Sequence, residues 1–435
     1  MTAITLAPDH GQRRLTRFEI RTLSLASLGG MLEFYDFIIF VFFTGTIGRL
    51  FFPADLPDWL RQIETFGLFA GGYLARPLGG IIMAHFGDTS GRKRVFTLSV
   101  LLMALPTLLI GLLPTYAAIG PLAPLLLLAM RMMQGAAIGG EAPGGWVFVA
   151  EHVPSHRVGL AIGLLNSGLT GGILLGSLMA TALNLSLTPA QILGGWWRLP
   201  FLAGGLFGLV AMVLRRWLDE TPVFTEMRAH AAVARELPLR TVLRSHRPAV
   251  LASMASTWML TGAIVVVILM TPSLLQRLYA IPARDTLLAN LAGSAALCVS
   301  TIAVGAATDR FGLRRTALPV LLLLVCATYA LYLSASYHSR ALLPLYMLAG
   351  AGVGAVSLTP VLMVRAFPPA VRFSGLSASY NIAYAVIGGA TPLLIVWLAG
   401  LDRMAPAHYV AGVSLIGLVA TLMAPRAATP APVRA

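Results

Sequence analysis

The sequence predicts an all-α membrane protein of twelve transmembrane helices arranged in two six-helix bundles. Three observations lead there. The 435 residues are 57% hydrophobic and 11% charged, with a mean hydropathy of +0.81. Soluble domains carry about 25% charged residues, so the bilayer is the expected solvent. Twelve apolar segments have spanning length. Finally, a charged turn, Gly87-Asp88-Thr89-Ser90-Gly91-Arg92-Lys93-Arg94, returns in outline 221 positions later as Asp309-Arg310-Phe311-Gly312-Leu313-Arg314-Arg315. A motif repeated at half the chain length indicates a duplication.

A helical span needs about 20 apolar residues. The first, 23–47, follows a polar, basic stretch and reads as an uncleaved signal anchor. Spans 62–85 and 95–113 flank the first charged turn; 121–149 is glycine-rich; 158–183 and 199–218 complete the first half. Segment 219–247 is the one long polar loop, and its mixture of acids and arginines suggests a short surface helix. The second half holds 249–274, 286–307, 316–336, 341–365, 372–399 and 407–424, with Asn290 and small residues diluting the signal of 286–307. This divides the chain into a bundle over 1–218, a linker over 219–247 and a bundle over 248–435. The latter ends in an Ala/Pro-rich tail from Pro425, expected to be disordered. Each half is expected to consist of inverted three-span repeats around a midplane site.

Placed on this topology, 22 of the 31 basic residues fall on the side that carries both termini, and seven, such as Arg49, Arg198 and Arg284, on the other. The positive-inside rule then makes both termini cytoplasmic. The net charge of +14 is spread over short gaps between spans, so nucleic acid is not an expected partner. Cys298 and Cys326 lie in apolar spans and suggest neither a disulfide framework nor a zinc site. No Gly-Lys-Ser/Thr phosphate loop, hydrolase triad or metal cluster is present, so neither ATP-driven transport nor enzyme chemistry is expected.

Several motifs carry a resemblance. They are Leu32-Glu33-Phe34-Tyr35-Asp36-Phe37, Arg76-Pro77-Leu78-Gly79-Gly80, Arg131-Met132-Met133-Gln134-Gly135 with Gly139-Gly140-Glu141, and Glu220-Thr221-Pro222-Val223-Phe224. Arg372-Phe373-Ser374-Gly375-Leu376 with Tyr380-Asn381 and Gly388-Gly389 completes the set. In this order the chain resembles the major facilitator superfamily. Within it the resemblance is to the metabolite:proton symporters, whose members carry citrate, α-ketoglutarate, shikimate or proline/betaine. The resemblance implies a bacterial inner-membrane carrier that takes up a small organic acid with protons. It would be driven by the proton gradient without a cofactor, with substrate, protons and membrane lipid as partners. A carboxylate siderophore, or export of a drug or metabolite, are the alternatives. The chain departs from the family where Thr89 replaces the usual Arg, in the apolar run Phe37–Phe43, and in the basic loop after span six, which argues against osmosensing.

Ionisable groups inside spans cost at least ~2.5 kcal/mol on insertion scales and should face a cavity or a partner. Glu33 and Asp36, three apart, share a helix face and are candidate proton carriers, or permanent partners of arginines. Arg131, Gln134 and Glu141 form one stripe of span four; Arg131 reads as gate or pathway, Gln134 as substrate contact, and Glu141 as a proton site on the pathway. Arg76 is the candidate anion holder, because guanidinium grips carboxylates bidentately; the alternative is a structural partner for Glu33 or Asp36. Tyr380, Asn381 and Tyr384 on one arc of span eleven, Thr257, Trp258 and Thr261 on span seven, and Asn166 and Ser167 on span five are candidate substrate contacts, or polar groups bonded to neighbouring helices. Asp88 with Arg92, and Asp309 with Arg314, read as gate pairs, a carboxylate being able to bind a helix N-terminus and nearby arginines; Glu151 and Arg157 are expected to join this network in the first half.

Overall fold

The computed structural model describes residues 15–53, 55–90, 92–217, 225, 238–337 and 341–425. Among them there are helices and turns and no strand. Twelve long helices match the twelve predicted spans: α1 Arg17–Phe42, α2 Asp58–Ser90, α3 Arg92–Leu112, α4 Leu122–His152, α5 Val158–Ser186, α6 Arg198–Arg216, α7 Arg247–Tyr279, α8 Ala283–Phe311, α9 Leu313–Ser336, α10 Leu342–Ala366, α11 Pro369–Leu401 and α12 Ala405–Met423. Among the described residues nine are long and apolar enough to cross a membrane, and a tenth forms if Pro189–Trp196 and Arg198–Leu214, bent by 49°, count as one. The other two are α2, many of whose side chains lie outside the described residues, and α3, whose apolar stretch Leu98–Leu112 is shorter. The diluted span around Asn290 is a full 29-residue helix.

Local chemistry sets several boundaries. Thr16 caps α1: its hydroxyl accepts from the Glu19 amide at 3.2 Å, and the Glu19 carboxylate accepts from the Thr16 amide at 2.7 Å. The predicted first span overran α1, which stops at Phe43 and restarts as a separate helix, Thr44–Phe51. Gly312, at φ 83°, makes the tight turn between α8 and α9 that an L side chain would resist. Of the linker, helix Pro238–Ser245 is described; most of 218–237 and the tail from 426 lie outside the described residues.

Helix packing repeats after six helices. In the first half α2 packs on α4, α1 on α5, α3 on α6 and α4, and α1 on α6; in the second α8 packs on α10, α7 on α11, α9 on α12 and α10, and α7 on α12. The halves meet along two equivalent seams, α5 against α8 and α2 against α11. Lipid tails offer no hydrophobic drive for helices to associate, so close backbone contact matters. A Cβ on Gly135 would collide with the Gly72 carbonyl, and one on Gly163 would sit 2.6 Å from the Thr301 carbonyl, so glycine sets the α2–α4 and α5–α8 spacings.

Candidate functional site

Arg76 lies near the middle of α2, 1% exposed. Pro77 follows it and has no amide, which leaves the Tyr73 carbonyl without its helical donor. The Arg76 guanidinium carbon stands 4.0 Å from the Tyr384 ring centroid, 5.2 Å from Tyr380 and 5.6 Å from Tyr73. Tyr73 and Tyr384 stack at 5.2 Å across the seam between the halves. The Arg76 Nε–H donates to Asn381 Oδ1 at 3.4 Å, while Nη2 has no hydrogen-bond partner among the described residues. Among the described residues none of its partners is a carboxylate, so the structural pairing with Glu33 or Asp36 does not occur. Asn381 is fixed by donating to the Gly139 carbonyl at 2.6 Å, and Ser377 donates to the Gly80 carbonyl at 2.9 Å. Tyr384 opens a π-helical segment, Tyr384–Gly388, which rotates the following turn and is a common device at binding sites.

Trp146 closes the cage on one side. Its ring meets Tyr380 edge-on at 4.9 Å, and its Nε1–H donates to Asn166 Oδ1 at 2.8 Å. The Asn166 amide in turn donates to Ser357 Oγ at 3.2 Å, so this side of the cage also crosses between the halves. Thr261 lies against Gly388 and its hydroxyl is buried.

A second polar cluster adjoins the first. The Arg131 Nη1–H donates to Gln134 Oε1 at 2.8 Å and to the Phe37 carbonyl at 3.4 Å, and its guanidinium faces the Phe37 and Phe40 rings at 4.6 and 4.3 Å. The Gln134 amide donates to Thr107 Oγ1 at 2.7 Å. Phe37 packs edge-on against Tyr73 at 5.5 Å, linking the clusters. Arg131 precedes His152, at the far end of α4, by 21 positions, about 30 Å at the standard rise. It therefore belongs to this interior cluster and not to the gate. Glu33, Asp36 and Glu141 are all buried, at 0%, 0% and 2% exposure. Asp36 points at α6, where a Cβ on Gly204 would stand 2.5 Å from Oδ1, and it lies within electrostatic range of Glu141.

The residues expected at the gate gather where α4, α8 and α10 end and α5 and α11 begin. Asp309 accepts from the Gly159 amide at 2.8 Å and the Leu160 amide at 2.7 Å, capping α5 of the opposite half, and pairs with Arg365 at 3.4 Å. Arg157, beside that N-terminus, adds positive charge near the same carboxylate. Glu151 pairs with Arg372 at 3.2 Å, again across the halves. Two expectations are corrected. Arg314 does not pair with Asp309; it donates to the Ala424 carbonyl at 3.1 Å, covering the C-terminus of α12. Trp258 does not join the cage, because it donates to Tyr409 at 3.1 Å within the second half. The side chains of Asp88 and Arg92 lie outside the described residues. Sequence reasoning missed Tyr73 and Trp146; Tyr73, three residues before Arg76, shares its helix face and was discoverable on spacing.

Comparison with known proteins gives the same picture. A citrate-proton symporter of Klebsiella pneumoniae is 32% identical over 432 residues, covering 97% of this chain and 95% of that protein. A putative proline/betaine transporter of Staphylococcus aureus is 31% identical over 92% of this chain and 86% of its own length. In structure, the proton:xylose symporter XylE superposes with a TM-score of 0.77 at 16% identity, covering 93% of this chain and 94% of that one, a likeness of fold. The family profile described as Major Facilitator Superfamily matches residues 26–392. With its six-helix packing repeat, two seams and polar site between the halves, the chain belongs to the major facilitator superfamily of membrane transporters.

Proposed function

We propose that the chain is a proton-coupled symporter that carries a small organic acid into the bacterial cell by alternating access. It sits in the inner membrane with both termini cytoplasmic, and the proton gradient drives it without a cofactor. The observation that carries this reading is the Arg76 cage. A buried guanidinium with an unpartnered Nη2, midway between the halves, offers the donors a carboxylate needs. The three tyrosine faces around it already meet a cation, so they are poor hosts for a second one, such as a quaternary ammonium. This favours a plain carboxylate over a betaine, although relatives of both kinds match.

Glu33, Asp36 and Glu141 supply the proton sites. A carboxyl that alternates between an apolar surrounding and one facing a cation changes its proton affinity, and so couples proton binding to the rocking of the halves. Gln134, Arg131 and Thr107 continue the polar route beside the cage. Asp309, Glu151, Arg157, Arg365 and Arg372 hold one end shut. The positive-inside count makes that end cytoplasmic.

A thermal-shift screen of purified protein tests the substrate class, because a bound ligand raises apparent stability by mass action. Citrate, other di- and tricarboxylates, shikimate, betaine and ferric siderophores are compared at two pH values. Stabilisation by a small carboxylate, changing with pH, is expected. Stabilisation by betaine or a siderophore alone contradicts the reading.

A further inference from the structure

We infer that the second half carries a site for an anionic phospholipid headgroup at the end of the bundle where α8 turns into α9. A cavity of about 360 Å³ opens there, lined by Phe311, Leu313, Arg314, Arg315, Leu362 and Arg365, and closed by the end of α12. Its chemistry is one-sided. Three arginines line it, and Arg310, over the Phe311 ring at 5.2 Å, adds a fourth nearby. The nearby carboxylate among the described residues, Asp309, already accepts two amides of α5 and pairs with Arg365. Arg314 gives one hydrogen bond to a backbone carbonyl, and Arg315 has no ion-pair partner among the described residues. Arg314 and Arg315, adjacent and without a carboxylate partner among the described residues, suit a phosphate anion, which guanidinium groups grip with paired N–H bonds.

The position of the cavity selects a lipid over a soluble anion. Arg314, Leu318 and Leu322 follow one another at four-residue spacing along one face of α9, and both leucines are exposed, at 50% and 53%. Phe311 beside the turn is 54% exposed. The face therefore passes from arginine to apolar surface in one helical turn, as it must where a helix leaves the hydrocarbon for the headgroup layer. A phosphate at Arg314 and Arg315 would lay its acyl chain along Leu318 and Leu322. Basic pockets between helices at this depth are suited to anionic lipids. Because Arg365 also holds Asp309, and Asp309 caps the opposite half, occupancy of the cavity acts on the closed end of the transporter.

The test uses full-length protein in nanodiscs of phosphatidylcholine, with and without phosphatidylglycerol, read by thermal unfolding. Phosphatidylglycerol is expected to raise the unfolding midpoint of the native chain. The rise should fall by about half in Arg315→Gln and disappear in the Arg314→Gln/Arg315→Gln double variant. Among the described residues Arg315 makes no hydrogen bond or ion pair, so its variant should fold normally. Arg247→Gln, which removes a basic residue outside the cavity, should keep the full rise. An equal rise in all variants, or an equal loss in Arg247→Gln, overturns the site in favour of general surface charge. A rise of the same size from inorganic phosphate in detergent, lost in the Arg315 variant, overturns the lipid assignment and makes the cavity a soluble-anion site.

Discussion

Asp309 of α8 caps α5 in the other half: its two carboxylate oxygens accept the amides of Gly159 and Leu160 at 2.8 and 2.7 Å. The contact belongs to an antiparallel register in which 159 faces 309, 170 faces 298 and 177 faces 290. It is the charged end of a seam whose other polar contacts come from threonine, serine, asparagine and cysteine and whose close approaches come from glycine. Replacing Asp309 by Asn removes the charge from a helix N-terminus and from Arg365. A loss of about 1–2 kcal/mol is expected, which shifts the equilibrium between closed and open at this end by roughly 5–30-fold. Labelling of a cysteine introduced inside the seam should speed up accordingly; an unchanged labelling rate would remove Asp309 from the gate.

Arg76→Lys keeps the charge but loses the planar fork. Substrate affinity should fall at least tenfold, about 1.4 kcal/mol, with the unfolding midpoint little changed. Unaltered KM for uptake would exclude Arg76 from the binding site.

Tyr384 is the ring nearest the Arg76 guanidinium, at 4.0 Å. Tyr384→Phe preserves the face and should retain most of the affinity. Tyr384→Leu removes it and should cost up to about 2 kcal/mol, since the pair is desolvated. Equal losses in the two variants would assign the role to the hydroxyl instead of the ring. Titration of substrate binding by calorimetry distinguishes them.

Asp36→Asn, Glu33→Gln and Glu141→Gln each remove one titrating carboxyl of the first half. Asp36→Asn should flatten the pH dependence of uptake most, because this carboxyl is fully buried and lies within electrostatic range of Glu141. If Asp36→Asn and Glu33→Gln both leave the pH profile intact, the proton is carried at Glu141.

Gly135→Ala tests the packing of α2 on α4. The added methyl would strike the Gly72 carbonyl, which is backbone and cannot swing aside. A destabilisation of about 1–3 kcal/mol is expected from such overpacking, visible as a lower unfolding midpoint. A midpoint equal to that of the native chain would show that the seam is looser than the structure has it.

The architecture was legible because the bilayer demands long apolar runs, and because the turn at 309–315 repeats that at 87–94. Even the diluted span around Asn290 formed, and the reason lies in its partners. The Asn290 amide is satisfied by the Ile268 carbonyl at 2.7 Å and by Tyr346 at 2.9 Å, so a polar residue in a span need not weaken it. The cage was legible in part. Arg76, Tyr380, Asn381 and Tyr384 were each recognisable as unusual in a span, and they meet. What a linear reading could not supply is helix rotation. Trp258 and Thr261 share a helix, yet the indole turns to Tyr409 and the threonine to Gly388. Arg314 lies five residues from Asp309, but the turn at Gly312 sends it to the end of α12, while Arg365 arrives from α10.

The most direct test is uptake of radiolabelled citrate and of smaller dicarboxylates into proteoliposomes with an imposed pH gradient, acid outside. The account predicts accumulation of one such carboxylate in wild-type vesicles, its abolition when the gradient is collapsed by a protonophore, and at least a tenfold rise in KM with Arg76→Lys. Accumulation that is indifferent to the gradient, or equal in wild-type and Arg76→Lys vesicles, would contradict it.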